Sequence, residues 1–104
     1  MLKTLCLLNG TSGDENKVRD YIISEIKDYC EYTVDSLGSI IATKKGRITP
    51  NKKISINAHM DEVGFIITGI TEDGYLRFST VGGINPNVCL DRVVTVGDNS
   101  VSGV

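Results

Sequence analysis

The hydrophobic period of this chain changes once, and that change limits the fold more than any other feature. Up to Cys30 the apolar residues Val18, Tyr21, Ile22, Ile26, Tyr29 and Cys30 recur in steps of three and four. That spacing puts them on one face of a helix over "DENKVRDYIISEIKDYC". Beyond Cys30 the apolar residues come in short alternating runs separated by Gly, Asn and Asp, the pattern of strands and turns. One or two helices followed by many strands predict an α/β arrangement leading into a β-rich segment.

The individual elements follow. "MLKTLCLL" reads as a short amphipathic helix, too short and without a cleavage site to be a secretion signal. "NGTSGDEN" is a turn cluster, and Ser12 with Glu15 fits a capping box for the second helix. "EYTVD" and "SIIATKKG" read as a hairpin around "SLG". "NKKISINAH" is the best strand candidate: Ile54, Ile56 and Ala58 share one face, and Ser55, Asn57 and His59 the other. "VGFIITGIT" and "YLRFSTV" are strands joined through "EDG", and "GGINPN" is a loop. "VCLDRVVTVG" and "NSVSGV" are two more strands joined through "GDN". The alternating pattern runs up to Val104 without a polar tail, which predicts that the 104 residues are a piece of a longer protein.

Composition narrows the function classes. Apolar residues make up 40% and charged residues 23%, the balance of an ordinary soluble domain. The net charge of -2, with acids and bases interspersed, gives no basic face for nucleic acid. No stretch has membrane-spanning length, so no membrane partner is expected. Cys6, Cys30 and Cys89 are odd in number and far apart, which argues against a disulfide framework or a zinc ribbon. They read as buried, reduced thiols of a cytoplasmic protein. The Asn9-Gly10-Thr11 sequon is read as chance.

The chemistry concentrates in "AHMDEVGF". His59 is the single histidine. In an extended chain Asp61 lies on its side and Glu62 on the opposite one. Imidazole is a common metal ligand, and its second ring nitrogen usually donates to a carboxylate that fixes the ring. Spacing alone favours a hydrogen-bonded, half-buried histidine over a ligand. Without a second His the chain cannot close a zinc site by the usual ligand counts.

"NAHMDEVGFIITGI" resembles the metal-ligand segment of the tetrahedral glutamyl or deblocking aminopeptidases, whose members also carry the names endoglucanase or cellulase. "LLNGTSGDENKVRDYI" is similar to that family's opening helix, turn and second helix. "VDSLGSIIATKKG" is similar to its D-x-L-G-N segment, with Ser39 where Asn is usual. "DGYLRFSTVGGINPNVCLDRVVTV" resembles the entry to its inserted β-domain. The resemblance covers essentially the whole chain, in order.

The resemblance implies the start of a two-metal exopeptidase domain of the phosphorylase/hydrolase-like α/β class over 1–70. It implies the first part of an inserted β-barrel or PDZ-like dimerisation domain over 71–104. His59 matches a metal ligand, and Asp61 the catalytic-site Asp that orients that ligand. The remaining ligands and the Glu general base have no counterpart here, and Glu62 is not that base. The implied cofactors are two divalent ions, zinc or cobalt. The implied partners are a peptide substrate and further copies of the chain, from dimer to dodecamer. The expected function is the N-terminal part of a metalloaminopeptidase, inactive by itself. An endoglucanase and a non-catalytic binding or assembly module are the competing readings. The patch formed by Ile54, Ile56, Val63, Phe65, Ile66, Ile67 and Ile70 is expected to need a cover, through self-association or through further chain.

Overall fold

The structure, a computed structural model, describes residues 1–48 and 51–104. It divides into two compact units, Met1–Glu62 and Val63–Val104.

The first unit opens with α1 (Leu2–Leu5), a single exposed turn, and then α2 (Asn16–Ile26). Val18 on α2 is 6% exposed and meets Gly10, and these two are the buried residues among those described. The closeness of that contact explains the glycine. A Cβ at Gly10 would stand 2.7 Å from Val18 Cγ2 and 3.4 Å from the Met60 carbonyl oxygen. Tyr21, Ile22, Ile26 and Cys30 are half-buried as the helical spacing predicts, whereas Tyr29 lies past the helix end and is 70% exposed. The Lys44 ammonium sits 5.9 Å from the centre of its ring, at cation–π distance.

β1 (Glu31–Val34) and β2 (Ile40–Thr43) form the expected antiparallel hairpin, with Glu31 opposite Thr43 and Val34 opposite Ile40. Its turn is built on Asp35. One carboxylate oxygen accepts from the Leu37 and Ser39 amides at 2.9 and 2.8 Å, an Asx-type turn. Gly38 takes the left-handed φ of 87° that this turn needs. The Ser39 amide above all, with that of Leu37, holds the Asp35 carboxyl below its ordinary value of 3.8.

The second unit contains β3 (Gly64–Ile70) and β4 (Leu76–Val81), paired antiparallel from Gly64–Val81 to Ile70–Leu76 with a bulge between Ile67 and Gly69. The rings of Phe65 and Phe78 meet edge to face at 4.8 Å. The turn at "EDG" closes with the Thr71 hydroxyl accepting from the Tyr75 amide at 2.9 Å. β5 (Val94–Val96) and β6 (Val101–Gly103) form a third, short hairpin.

Four expectations need correction. "NKKISINAH" is extended but unpaired: no described residue offers 51–59 a ladder, and Ile54 and Ile56 are 92% and 91% exposed. The front of "VCLDRVVTVG" is not strand. Pro86–Val88 form a 3-10 turn that Asn85 caps, and Asp91 is left-handed at φ 57°, so extension begins only at Val94. The Ser12–Glu15 capping box does not form. The helix starts at Asn16, and Glu15 turns back to accept from the Gly13 amide at 2.8 Å. The thiols are not buried: Cys6 is exposed, and Cys30 and Cys89 are half-buried. No helix among the described residues is long and apolar enough to cross a membrane.

Two outcomes test this account. Gly10→Ala forces a methyl into Val18 and should destabilise the first unit by about 1–3 kcal/mol, the usual cost of overpacking, measured by denaturant unfolding. The Asp35 turn should depend on pH. A carboxyl held below its unfolded value stabilises fully above that unfolded value, about 3.9, and the contribution is lost as pH falls through the lowered folded one. Protection of the Leu37 and Ser39 amides against hydrogen exchange, relative to the unstructured rate at the same pH, should therefore fall in that acid window, and in Asp35→Ala at every pH.

Candidate metal-ligand site

The site is built where two distant segments of the first unit meet. Glu62 donates its amide to the Gly10 carbonyl at 2.7 Å, and its own carbonyl accepts from the Ser12 amide at 3.3 Å. These bonds make a parallel bridge between Thr11 and Glu62. The Glu62 side chain adds a third link, accepting from the Gly10 amide at 3.3 Å. The "NGTSG" turn is itself braced by the Asp14 amide donating to the Thr11 carbonyl at 2.8 Å.

That bridge brings Ser12 to Asp61. The Ser12 hydroxyl donates to Asp61 Oδ2 at 2.5 Å, within the short range of hydroxyl–carboxylate bonds. The other carboxylate oxygen, Oδ1, lies 3.0 Å from His59 Nδ1, and the Asp61 backbone carbonyl lies 3.0 Å from the same nitrogen. Both partners only accept, so Nδ1 must carry the proton. In the neutral ring Nε2 then keeps its lone pair free, the form in which a histidine ligates a metal. The His59 side chain is 84% exposed and that of Asp61 41%, so Nε2 has room for a ligand. The Ser12 hydroxyl, ahead of the His59 ring, holds the Asp61 carboxyl below its ordinary 3.8.

His59 and Asp61 thus meet as the spacing predicts, but the ring is exposed rather than half-buried, and Glu62 turns away to a different partner. Two functional-looking residues escape the sequence reading. The local sequence favours a helix cap for Ser12 and an ordinary turn for Gly10. The signal available was the Gly-Thr-Ser-Gly run itself, whose small residues let a second segment approach closely. No group of three or more His, Cys, Asp and Glu among the described residues could hold a metal ion.

Comparison with known proteins gives a consistent picture. Residues 38–104 match the family model described as M42 glutamyl aminopeptidase. The TET1 peptidase of Pyrococcus horikoshii, whose structure is described as assembling into a tetrahedron or a large octahedral shell, superposes with a TM-score of 0.84 at 41% identity. The superposition covers 98% of this chain and 31% of that one. A Thermotoga maritima structure described as an endoglucanase superposes at 0.83 with 45% identity, over 89% of this chain and 30% of the other. The glutamyl aminopeptidase of Lactococcus lactis is 39% identical over 88 residues, covering 84% of this chain and 25% of that enzyme. The chain spans about a quarter to a third of the length of the curated relatives it matches.

The geometry separates the two adjacent acids. Asp61→Asn should change the His59 ring environment and leave the Gly10 amide protected. Glu62→Gln should do the reverse. A Gln carbonyl still accepts, so protection of the Gly10 amide should fall by less than about tenfold, in keeping with a bond worth about 1 kcal/mol. Amide exchange and His59 side-chain NMR on the two variants measure both effects.

Proposed function

Since the chain belongs to the M42 glutamyl aminopeptidase family, we propose that it is the N-terminal part of a dinuclear-metal aminopeptidase that removes N-terminal residues from peptides. The observation that carries this reading is the His59 ring: Nδ1 is held by Asp61 and Nε2 is left open and exposed. His59 supplies one metal ligand. Asp61 is the catalytic-site residue that keeps this ligand in the Nδ1–H tautomer, facing outward. Two bound divalent ions, zinc or cobalt, would polarise the scissile carbonyl and lower the pKa of a water nucleophile. This chain's own contribution is to orient one ligand and to hold it through the bridge to Gly10 and Ser12. The other ligands and the base come from outside these 104 residues.

The assignment of 1–70 to the catalytic domain and of 71–104 to an inserted β-barrel or PDZ-like domain belongs to the same proposal. It divides the chain by role, because the β3–β4 hairpin spans position 70. Self-association is the expected use of its exposed apolar surface, since Ile54, Ile56, Ile66 and Ile70 are all more than half exposed. The assembly of the Pyrococcus TET1 peptidase supports that reading.

The name of the Thermotoga relative raises a glycosidase reading. Glycoside hydrolysis needs two carboxyl groups flanking the bond, about 5–9.5 Å apart. Here the adjacent acids are otherwise engaged: Asp61 by Ser12 and His59, Glu62 by the Gly10 amide. The peptidase reading is preferred on that ground.

In an intact polypeptide carrying this sequence, zinc or cobalt should support release of N-terminal residues from peptides and no hydrolysis of cellulose. His59→Ala should abolish turnover with little loss of fold. Asp61→Asn should lower metal affinity or rate by roughly 10–100-fold, as expected for a carboxylate behind a ligating histidine. The 104-residue chain alone should show no chelator-sensitive turnover. Robust turnover by that chain, or full activity and metal content in His59→Ala, would overturn the proposal.

A further inference from the structure

A carboxylate turns easily about its last side-chain bond, so one histidine contact does not fix an aspartate. Asp61 follows an exposed segment, 51–59, that has no strand pairing among the described residues. Something must decide which way its carboxylate faces, and the structure offers one group outside its own segment. Ser12 lies 49 positions away in sequence, and its hydroxyl donates to Oδ2 at 2.5 Å. With Oδ2 taken, Oδ1 is the oxygen presented to His59 Nδ1 at 3.0 Å.

Ser12 is itself held for this task. Its amide donates to the Glu62 carbonyl, and the Glu62 amide donates to the Gly10 carbonyl. Its hydroxyl serves no helix: α2 has no side-chain cap, and the Gly13 amide is taken by Glu15. The Glu62 carboxylate meanwhile fastens the Gly10 amide. The residue after Asp61 thus secures the loop from which Ser12 reaches back.

We propose that Ser12 is a positioning residue for the metal ligand. Its hydroxyl locks the Asp61 carboxylate, which locks His59 in the Nδ1–H form, and the Glu62 bridge holds Ser12 in place. The metal-facing role of Nε2 rests on the function proposed above; the hydrogen-bond relay does not. A hydroxyl is required rather than bulk. Alanine frees Oδ2 and lets the carboxylate rotate, which leaves the Asp61 backbone carbonyl, 3.0 Å from Nδ1, as the acceptor still favouring Nδ1–H. Threonine keeps the donor.

His59 is the single histidine of the chain, so ¹⁵N-histidine labelling gives two ring nitrogens and no overlap. The 104-residue chain and its Ser12→Ala and Ser12→Thr variants are compared near pH 7.5 by long-range ¹H–¹⁵N correlation. The expected result is a ring protonated mainly on Nδ1 in the parent chain. Ser12→Ala should raise the share of the Nε2–H form measurably, the Asp61 backbone carbonyl retaining part of the Nδ1–H form, and Ser12→Thr should restore it, with the Gly10 and Glu62 amide signals unmoved. An Nδ1–H ring unaffected by Ser12→Ala overturns the proposal. So does a parent ring already protonated on Nε2. So does a loss in Ser12→Ala that moves the Gly10 and Glu62 amides as well, or that threonine does not restore. Titration of zinc into an intact polypeptide carrying this sequence, with His59→Ala identifying the His59 signals, separates this inference from the reading it rests on. Weakening of about tenfold in Ser12→Ala supports both. No zinc effect on Nε2 in any variant, alongside the expected tautomer change, overturns the ligand role and leaves the relay standing.

Discussion

The site depends on one long-range contact, the backbone bridge that ties Glu62 to Gly10 and Ser12. Closing a loop of about fifty residues costs about 3.5 kcal/mol in chain entropy beyond a constant. The two backbone bonds and the Gly10–Glu62 side-chain bond return about 1 kcal/mol each. These bonds offset most of the length-dependent cost, and the packing of Val18 against Gly10 adds to them. A glycine is what lets helix α2 come close enough for that packing. The histidine's geometry therefore rests on a residue with no side chain and on the helix packed against it.

Much of the fold was legible because much of it is local. Helix α2, the Asp35 hairpin and the β3–β4 hairpin each carry their own period and turn residues, and each formed where the pattern put it. The unpaired run 51–59 was misread for the opposite reason. Alternation says that a segment is fit to be a strand, but pairing is supplied by a neighbour, and no described residue supplies it. The 3-10 turn at Pro86–Val88 was hidden by the apolar residues around it, although Asn85 and Pro86 are good initiators.

The site divides along the same line. His59 and Asp61 are two residues apart, so their pairing follows from extended geometry and could be read directly. Ser12 could not. Its neighbours in sequence favour a helix cap, and the partner that outbids the helix is 49 positions away. Local chemistry ranks the options open to a serine; only the fold decides which acceptor is within reach. The same holds for Glu62, whose direction the alternation gave and whose partner, the Gly10 amide, it could not.

The span of the bridge also bears on the order of events during synthesis. Gly10 and Glu62 are 52 positions apart, a stretch that takes about 3–10 s to translate at the usual rate of about 5–20 residues per second. Hairpins and helices form within microseconds, far faster than the chain emerges. Helix α2 and the β1–β2 hairpin can thus be in place before Glu62 leaves the ribosome, shortening the search that joins it to the turn. The histidine is then aimed as soon as its own segment is free.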